Sequence, residues 1–219
     1  MITPSSPFTL ATWRREVSRL YAKVRDDSIH TPLVAWDSYR SKRDDLFKTH
    51  PESPLKPEIR RDFKQLEYYP YHQTWRTIGR VDQNVENETI QIDLGADGLV
   101  CLTRVGRVYF SIDHYQGELC VYWIEGYGGG IFIPFRDATN GKGTYGGGRY
   151  LYDTIKGADL GTGSDQIVLD FNYAYNPSCA YDDRWVCPLA PQENWLNLAV
   201  EAGEMKYVPS FSTPKESNK

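Results

Sequence analysis

The densest gathering of polar and aromatic side chains in this chain is Asp170-Phe171-Asn172-Tyr173-Ala174-Tyr175-Asn176-Pro177-Ser178-Cys179-Ala180-Tyr181. Asn and Tyr supply neutral donors and acceptors beside flat rings, which suits the grip on a small polar molecule. If a strand runs into this stretch, Asp170, Asn172 and Ala174 fall on one side and Phe171, Tyr173 and Tyr175 on the other. A buried, hydrogen-bonded loop that anchors the end of the fold would use the same residues.

A second concentration is glycine. Twelve of the eighteen glycines fall between Gly126 and Gly163, and Tyr-Gly-Gly-Gly occurs twice, at Tyr127–Gly130 and Tyr145–Gly148. Such runs cost backbone entropy, so they mark a sharp bend or a close approach of another group to the backbone. The turn residues Arg136 to Thr144 between them are expected to fold the first arm back onto the second, so that both arms meet in one place. There Gly147 and its neighbours would offer backbone N–H groups beside Arg149, an arrangement suited to an anion or a carbonyl oxygen. A phosphate loop is excluded, because the glycine required five residues before Gly141 is replaced by Arg136 and Lys142 is followed by Gly143. No strand–helix unit with G-x-G-x-x-G surrounds the second arm, so the dinucleotide reading fails too.

The four cysteines show no C-x-x-C spacing. Cys101 and Cys120 sit in apolar runs and read as core thiols. Cys179 and Cys187 bracket seven residues of a loop, which leaves packed thiols, a local disulfide and a metal site open. All four histidines (His30, His50, His72, His114) precede residue 115, and neither G-x-S-x-G nor H-E-x-x-H occurs, so no nucleophilic triad or zinc motif is signalled.

The elements that must position these groups fall into two textures. Trp13, Val17, Leu20 and Val24 recur at helical spacing from Thr12. A second helix is expected from Thr31-Pro32, a capping hydroxyl followed by proline at the first helical position, with Leu33, Trp36, Arg40, Arg43 and Phe47 on one side, ending near His50-Pro51. Ile59, Phe63 and Leu66 predict a short third helix over 58–66. After Tyr68 the pattern predicts eight strands, over 75–81, 89–94, 99–103, 107–113, 118–125, 131–135, 149–155 and 166–171, with the clearest hairpin joining Val108–Ile112 to Leu119–Trp123 through 114–117. The fold class is α+β, mainly β: N-terminal helices packed on an antiparallel β-barrel or β-sandwich. The domain reading is an N-terminal tail over 1–11, one domain over 12–204 (helical 12–66, β body 67–204) and a C-terminal tail over 205–219.

Length and composition bound the partners. At 219 residues and 25.2 kDa, with 40% hydrophobic and 25% charged residues and net charge −4, the chain is too apolar for disorder and not basic enough for a dedicated nucleic-acid binder. No run approaches the roughly 20 apolar residues of a membrane span and the start lacks a signal-peptide pattern, so a soluble, cytoplasmic protein with no nucleic-acid and no membrane partner is expected. Residues 10–64 hold thirteen Lys and Arg against nine Asp and Glu, the remainder twelve against twenty. The helical part is therefore expected to dock on the more acidic body, or Arg40 and Arg43 to help hold an anionic ligand.

Phe135-Arg136-Asp137-Ala138-Thr139, Thr144 to Leu151, Leu169 to Pro177 with Cys179-Ala180-Tyr181, Cys187-Pro188-Leu189-Ala190-Pro191 with Glu193-Asn194, and Ala202-Gly203-Glu204 together resemble the signature of the bacterial and archaeal family catalogued as domain of unknown function 1684. The resemblance extends back through His50 to Leu55 and Trp13-Arg14-Arg15, covering about residues 12–204. It implies one integral unit, helices included, and brings no reaction, cofactor or catalytic residue with it.

The residues support three readings. In the first, a pocket at the end of the β body binds a small polar or anionic molecule through Arg136, Tyr145, Gly147, Arg149, Tyr150, Asn172, Tyr175, Asn176 and Tyr181. In the second, the protein is a hydrolase or lyase with Asp170 or Glu193 as general base, Arg149 and glycine amides stabilising negative charge, and Cys179 as a weaker nucleophilic variant. In the third, the motifs serve a structural or interaction protein. Cofactor, substrate and oligomeric state are open at this level, and no metal ligand set is assigned.

Overall fold

A computed structural model describes residues 5–95 and 98–209. Helix α1 spans Pro7–Asp27 and opens with a reciprocal cap, the Ser6 hydroxyl accepting from the Thr9 amide and the Thr9 hydroxyl accepting from the Ser6 amide. It thus begins five residues before the periodicity at Thr12, inside the segment read as tail. Helix α2 spans Pro32–Thr49. Its expected cap is corrected: the Thr31 hydroxyl makes no cap bond and instead donates to the Asp27 carbonyl. Its buried stripe is also shifted, to Ala35, Trp36, Tyr39, Arg43 and Phe47, while Leu33 is exposed. Helix α3 is one turn, Pro57–Arg60. The longer helix expected to Leu66 does not form, because the Leu66 amide is held by the Asp44 carboxylate of α2, which draws the chain out while still burying Phe63 and Leu66.

Seven strands come next: β1 Arg76–Asp82, β2 Thr89–Asp93, β3 Leu99–Ile112, β4 Tyr115–Ile124, β5 Gly130–Phe135, β6 Arg149–Asp153 and β7 Gln166–Asp170. All pairings are antiparallel, in the order β6-β5-β4-β3-β1-β7, and β2 pairs with the first half of β3. The two strands expected over 99–103 and 107–113 are one. Polar Arg104 and the glycine at 106 break the alternation but produce only a register shift against β4. The β3–β4 turn is likewise tighter than expected, with Ile112 paired to Tyr115 across Asp113-His114.

Of the two expected forms the sheet takes the barrel-like one, with its strand pairing left open. It is one curled sheet, a half-barrel, whose edge strands β6 and β7 are joined by the Tyr152 hydroxyl donating to the Val168 and Gly161 carbonyls at 2.6 and 3.0 Å. The helices cover the concave core: Leu20, Tyr21 and Val24 of α1 and Trp36, Tyr39 and Phe47 of α2 belong to the same buried cluster as Val108, Phe110, Leu119, Phe135, Leu151 and Phe171 of the body. Burial of this shared apolar surface, worth about 25 cal/mol per Å2, makes the helical segment an integral layer of the core. The fold class is α+β, mainly β.

Candidate functional site

The free edge of β6 sets the geometry. Tyr150 pairs with Tyr175 through two backbone hydrogen bonds of 2.9 and 3.1 Å. This lays the chain that leaves β7 along β6, directly beneath α1 and α2. Between them lies a cavity of about 70 Å3, walled by Trp13, Val17 and Tyr21 at four-residue spacing on α1, by Arg43 and Phe47 of α2, and by Tyr150, Asp153, Tyr175, Asn176 and Tyr181 of the body. Lys156, whose side chain is 54% exposed, and Ser178 stand where the cavity meets solvent.

Its floor is an ion-pair network. Arg43 Nη2 donates to Glu204 Oε2 at 2.9 Å and to the Tyr181 hydroxyl at 3.3 Å, and the Tyr181 hydroxyl donates to Glu204 Oε1. The same carboxylate accepts from the backbone and side-chain amides of Asn176, each at 3.1 Å. Burial opposes the Arg43 charge, but the surrounding Tyr68, Glu204 and Tyr39 outweigh it and hold the guanidinium charged. At the mouth, Lys156 is paired with Asp153 at 3.3 Å, and that carboxylate keeps the ammonium charged. Both cations are therefore already balanced. Two of the lining residues each carry a buried polar atom without a partner, Arg43 Nε and Asn176 Oδ1. A buried polar group without a partner costs roughly 1–3 kcal/mol.

The structure brings Tyr150, Tyr175, Asn176 and Tyr181 onto this cavity and disperses the other candidates. Arg149, fully buried, points at no open space: its Nη2 reaches Asp137 and the Val200 carbonyl, both at 2.9 Å, and its Nη1 the Ala202 carbonyl. Burial pulls this guanidinium down from the usual range, against Asp137. Arg136 stacks on the Trp195 ring at 4.3 Å. Asn172 clips the segment before β1, exchanging two 3.0 Å hydrogen bonds with the His72 backbone. Gly147 packs against the Tyr145 ring and Leu189. The two glycine arms do not meet. The first leads into β5 and packs against Thr154-Ile155 beyond the end of β6, whereas the second precedes β6 at Phe135. They occupy opposite ends of one hairpin, because the turn at 136–144 folds β6 back on β5 and carries the arms apart.

Asp170 and Glu193 are not among the residues that line the cavity. Asp170, 2% exposed, caps the turn after β7 by accepting from the Asn172 amide and Nδ2, with Arg76 at 3.8 Å; burial raises its carboxyl to about 6. Glu193 accepts from the Tyr122 hydroxyl at 2.9 Å and from the Cys120 thiol, and binds Arg104. Burial pushes its carboxyl up, but these donors prevail and hold it below the usual range.

Cys179 and Cys187 are both free and half-buried. The Tyr145 hydroxyl donates to Cys179 Sγ at 3.5 Å, and the Cys179 amide donates to Cys187 Sγ at 3.3 Å. The adjoining Cys187 thiol, with Tyr145, brings the Cys179 thiol below its ordinary range, whereas Cys187 is pushed up by Cys179 and by burial. Among the described residues no three His, Cys, Asp or Glu side chains gather as a metal-binding group. No helix among them is long and apolar enough to cross a membrane.

Sequence reasoning missed Tyr21, Asp153 and Lys156 as cavity residues, and Glu204 as the carboxylate that pairs with the lining residue Arg43. A signal for Glu204 stands beside it: Gly203 has φ +74°, and a Cβ there would lie 2.6 Å from the Ala174 and Phe171 carbonyls, so the chain is pressed against the segment that leads into Tyr175 at that point.

A curled antiparallel half-barrel roofed by two helices, with an aromatic cavity under the roof, defines an α+β protein of mainly β structure. The chain belongs to the family described as "Protein of unknown function (DUF1684)", whose sequence model matches residues 61–205. It is similar to the uncharacterized protein from gene locus rrnAC0354 of Haloarcula marismortui, solved by solution NMR, at 34% identity over 82% of this chain and 97% of that one, with a TM-score of 0.58. Among curated proteins there is no match.

Proposed function

We propose that the protein binds a small polar molecule, uncharged or zwitterionic, in the cavity between the helical roof and the Tyr175–Tyr181 loop. The observation that carries this reading is one cavity onto which the fold brings Tyr150, Tyr175, Asn176 and Tyr181 of the body beside Tyr21 and Arg43 of the helices; Arg43 and Asn176 each also carry a buried polar atom without a partner, Nε and Oδ1. The balanced pairs Arg43–Glu204 and Lys156–Asp153 favour a guest without net charge over the anion that the arginines suggested. Rings of Tyr21, Tyr150, Tyr175 and Tyr181 supply flat apolar contact. At about 70 Å3 the space suits a compact molecule of few heavy atoms carrying a carbonyl and an amide or hydroxyl.

The test is native mass spectrometry of gently purified protein, followed by identification of small molecules released on denaturation, with Val17→Phe as a variant that fills the cavity from α1. A guest retained by the wild type and lost from the folded variant supports the reading. Both proteins at the masses of their own bare chains, with no small molecule released from either, overturn it.

A further inference from the structure

The thiol pair is a separate feature, whose chemistry does not depend on the cavity's occupant. Cys179 and Cys187 flank the residues Ala180 to Val186, a loop pinned at several points. Tyr181 is held by Glu204, the Trp185 indole donates to the Pro54 carbonyl at 3.4 Å, and Lys56 lies 3.1 Å from Asp183 and 3.9 Å from Asp182. These ties keep the two sulfurs adjacent while both are reduced, so no loop closure is needed to join them. The pair also sits at the cavity's rim. Pro177 and Ser178, which line the cavity, run directly into Cys179, and the lining residue Tyr150 donates through its hydroxyl to the carbonyl of Pro188 at 2.6 Å, next to Cys187.

The two remaining thiols differ. Cys120 is buried and donates its proton to Glu193 at 3.3 Å, which with burial holds it as a thiol; Cys101 lies on β3, paired with Gln91 of β2. Only at 179 does a phenol hydroxyl donate to a half-buried sulfur next to a second thiol, with the Lys156 ammonium close enough to favour negative charge there. A thiolate stabilised in this way remains accessible and nucleophilic.

We propose that Cys179 and Cys187 form a thiol–disulfide exchange site for low-molecular-weight disulfides, with Cys179 as the attacking sulfur and Cys187 as the resolving one. The Cys179 thiolate attacks one sulfur of R–S–S–R, forming the Cys179–S–S–R bond and expelling RS−. Cys187 gives up its proton to that thiolate and attacks the Cys179 sulfur. The Cys179–Cys187 bond forms, the mixed disulfide breaks and a second RS− leaves, to be protonated by water. Two electrons pass from the protein dithiol to the small disulfide, which is reduced to two thiols, and an excess of the small thiol runs the sequence backward.

The experiment treats fully reduced, full-length protein with oxidised glutathione, quenches in acid at intervals, alkylates and maps every cysteine by peptide mass spectrometry. Wild type is expected to lose the Cys179 and Cys187 thiols together and to yield their cross-linked peptides without bound glutathione. Cys187→Ser is expected to stop at glutathione on Cys179, whereas Cys179→Ser takes it up at Cys187 at least about tenfold more slowly. Tyr145→Phe slows capture at Cys179 about threefold or more, because the hydroxyl that steadies the thiolate is gone. The proposal is overturned if wild-type Cys179 and Cys187 stay reduced while Cys101 reacts. It is equally overturned if the C187S protein carries its adduct elsewhere than Cys179. The wild-type time course decides the matter even if a variant fails to fold.

Discussion

Replacing Arg149 by Met tests whether this arginine supports the fold or serves a ligand. The side chain is fully buried, and its loss strands the Asp137 carboxylate and the carbonyls of Val200 and Ala202. Breaking a buried pair by removing one partner costs about 3–5 kcal/mol, and each stranded carbonyl adds about 1 kcal/mol if water reaches it only in part. The expected loss is therefore about 5–7 kcal/mol, a large share of the roughly 5–15 kcal/mol that holds a typical domain together. In equilibrium urea unfolding at pH 7 the midpoint should fall steeply, and the thermal midpoint by about 10–28 °C at 2–4 °C per kcal/mol for a chain of this size. Adding Asp137→Asn should restore part of the loss, since the uncompensated charge is then gone. A loss under about 1 kcal/mol, or no recovery in the double variant, would refute the structural assignment and return Arg149 to the ligand-binding candidates.

Asp170→Asn tests the buried carboxyl. Its pKa rises on folding from 3.8 to about 6, so the charge costs stability fully above pH 6, and the cost fades as pH falls through 6 toward 3.8. Urea titrations should show the variant gaining on wild type from pH 4 to pH 7, by up to about 3 kcal/mol less whatever its altered cap costs, whereas a variant that loses ground to wild type as pH rises contradicts the sign. Gly148→Ala should cost about 2 kcal/mol or more by thermal unfolding, since φ is +95° and the new Cβ would sit 2.5 Å from the Phe135 carbonyl; Gly146→Ala, with nothing nearer than 3.9 Å, should change stability by less than about 0.5 kcal/mol. Forming the Cys179–Cys187 disulfide closes a nine-residue loop, worth about 2.6 kcal/mol by chain entropy, so the oxidised protein should melt several degrees above the reduced one; an unchanged or lower melting point contradicts a loop already poised for the bond.

The sequence shows the elements more readily than their meeting points, for physical reasons visible in single residues. Trp13, Val17, Leu20 and Val24 announce α1 because one buried face leaves a periodic trace, yet the start at Pro7 rests on Ser6 and Thr9, whose reciprocal cap has no periodicity. The strand pattern runs through β3, but a bulge and a turn are alike in composition, so Arg104 to Gly106 read as a break. Tyr150, Tyr175, Asn176 and Tyr181 stand out by residue type and do share one cavity. Arg149 stands out equally and is enclosed, because charge in a sequence does not reveal whether its partner is Asp137 or a guest. Arg43 and Glu204 are 161 positions apart, and only the folded chain makes them a pair.

The most direct measurement is a crystal structure at high resolution of protein purified without added small molecules. A guest in the cavity predicts non-protein density under the α1–α2 roof, with an acceptor within hydrogen-bond distance of Arg43 Nε and a donor within reach of Asn176 Oδ1. A cavity closed by the protein's own side chains, or one holding only water with both atoms satisfied by protein groups, would contradict it.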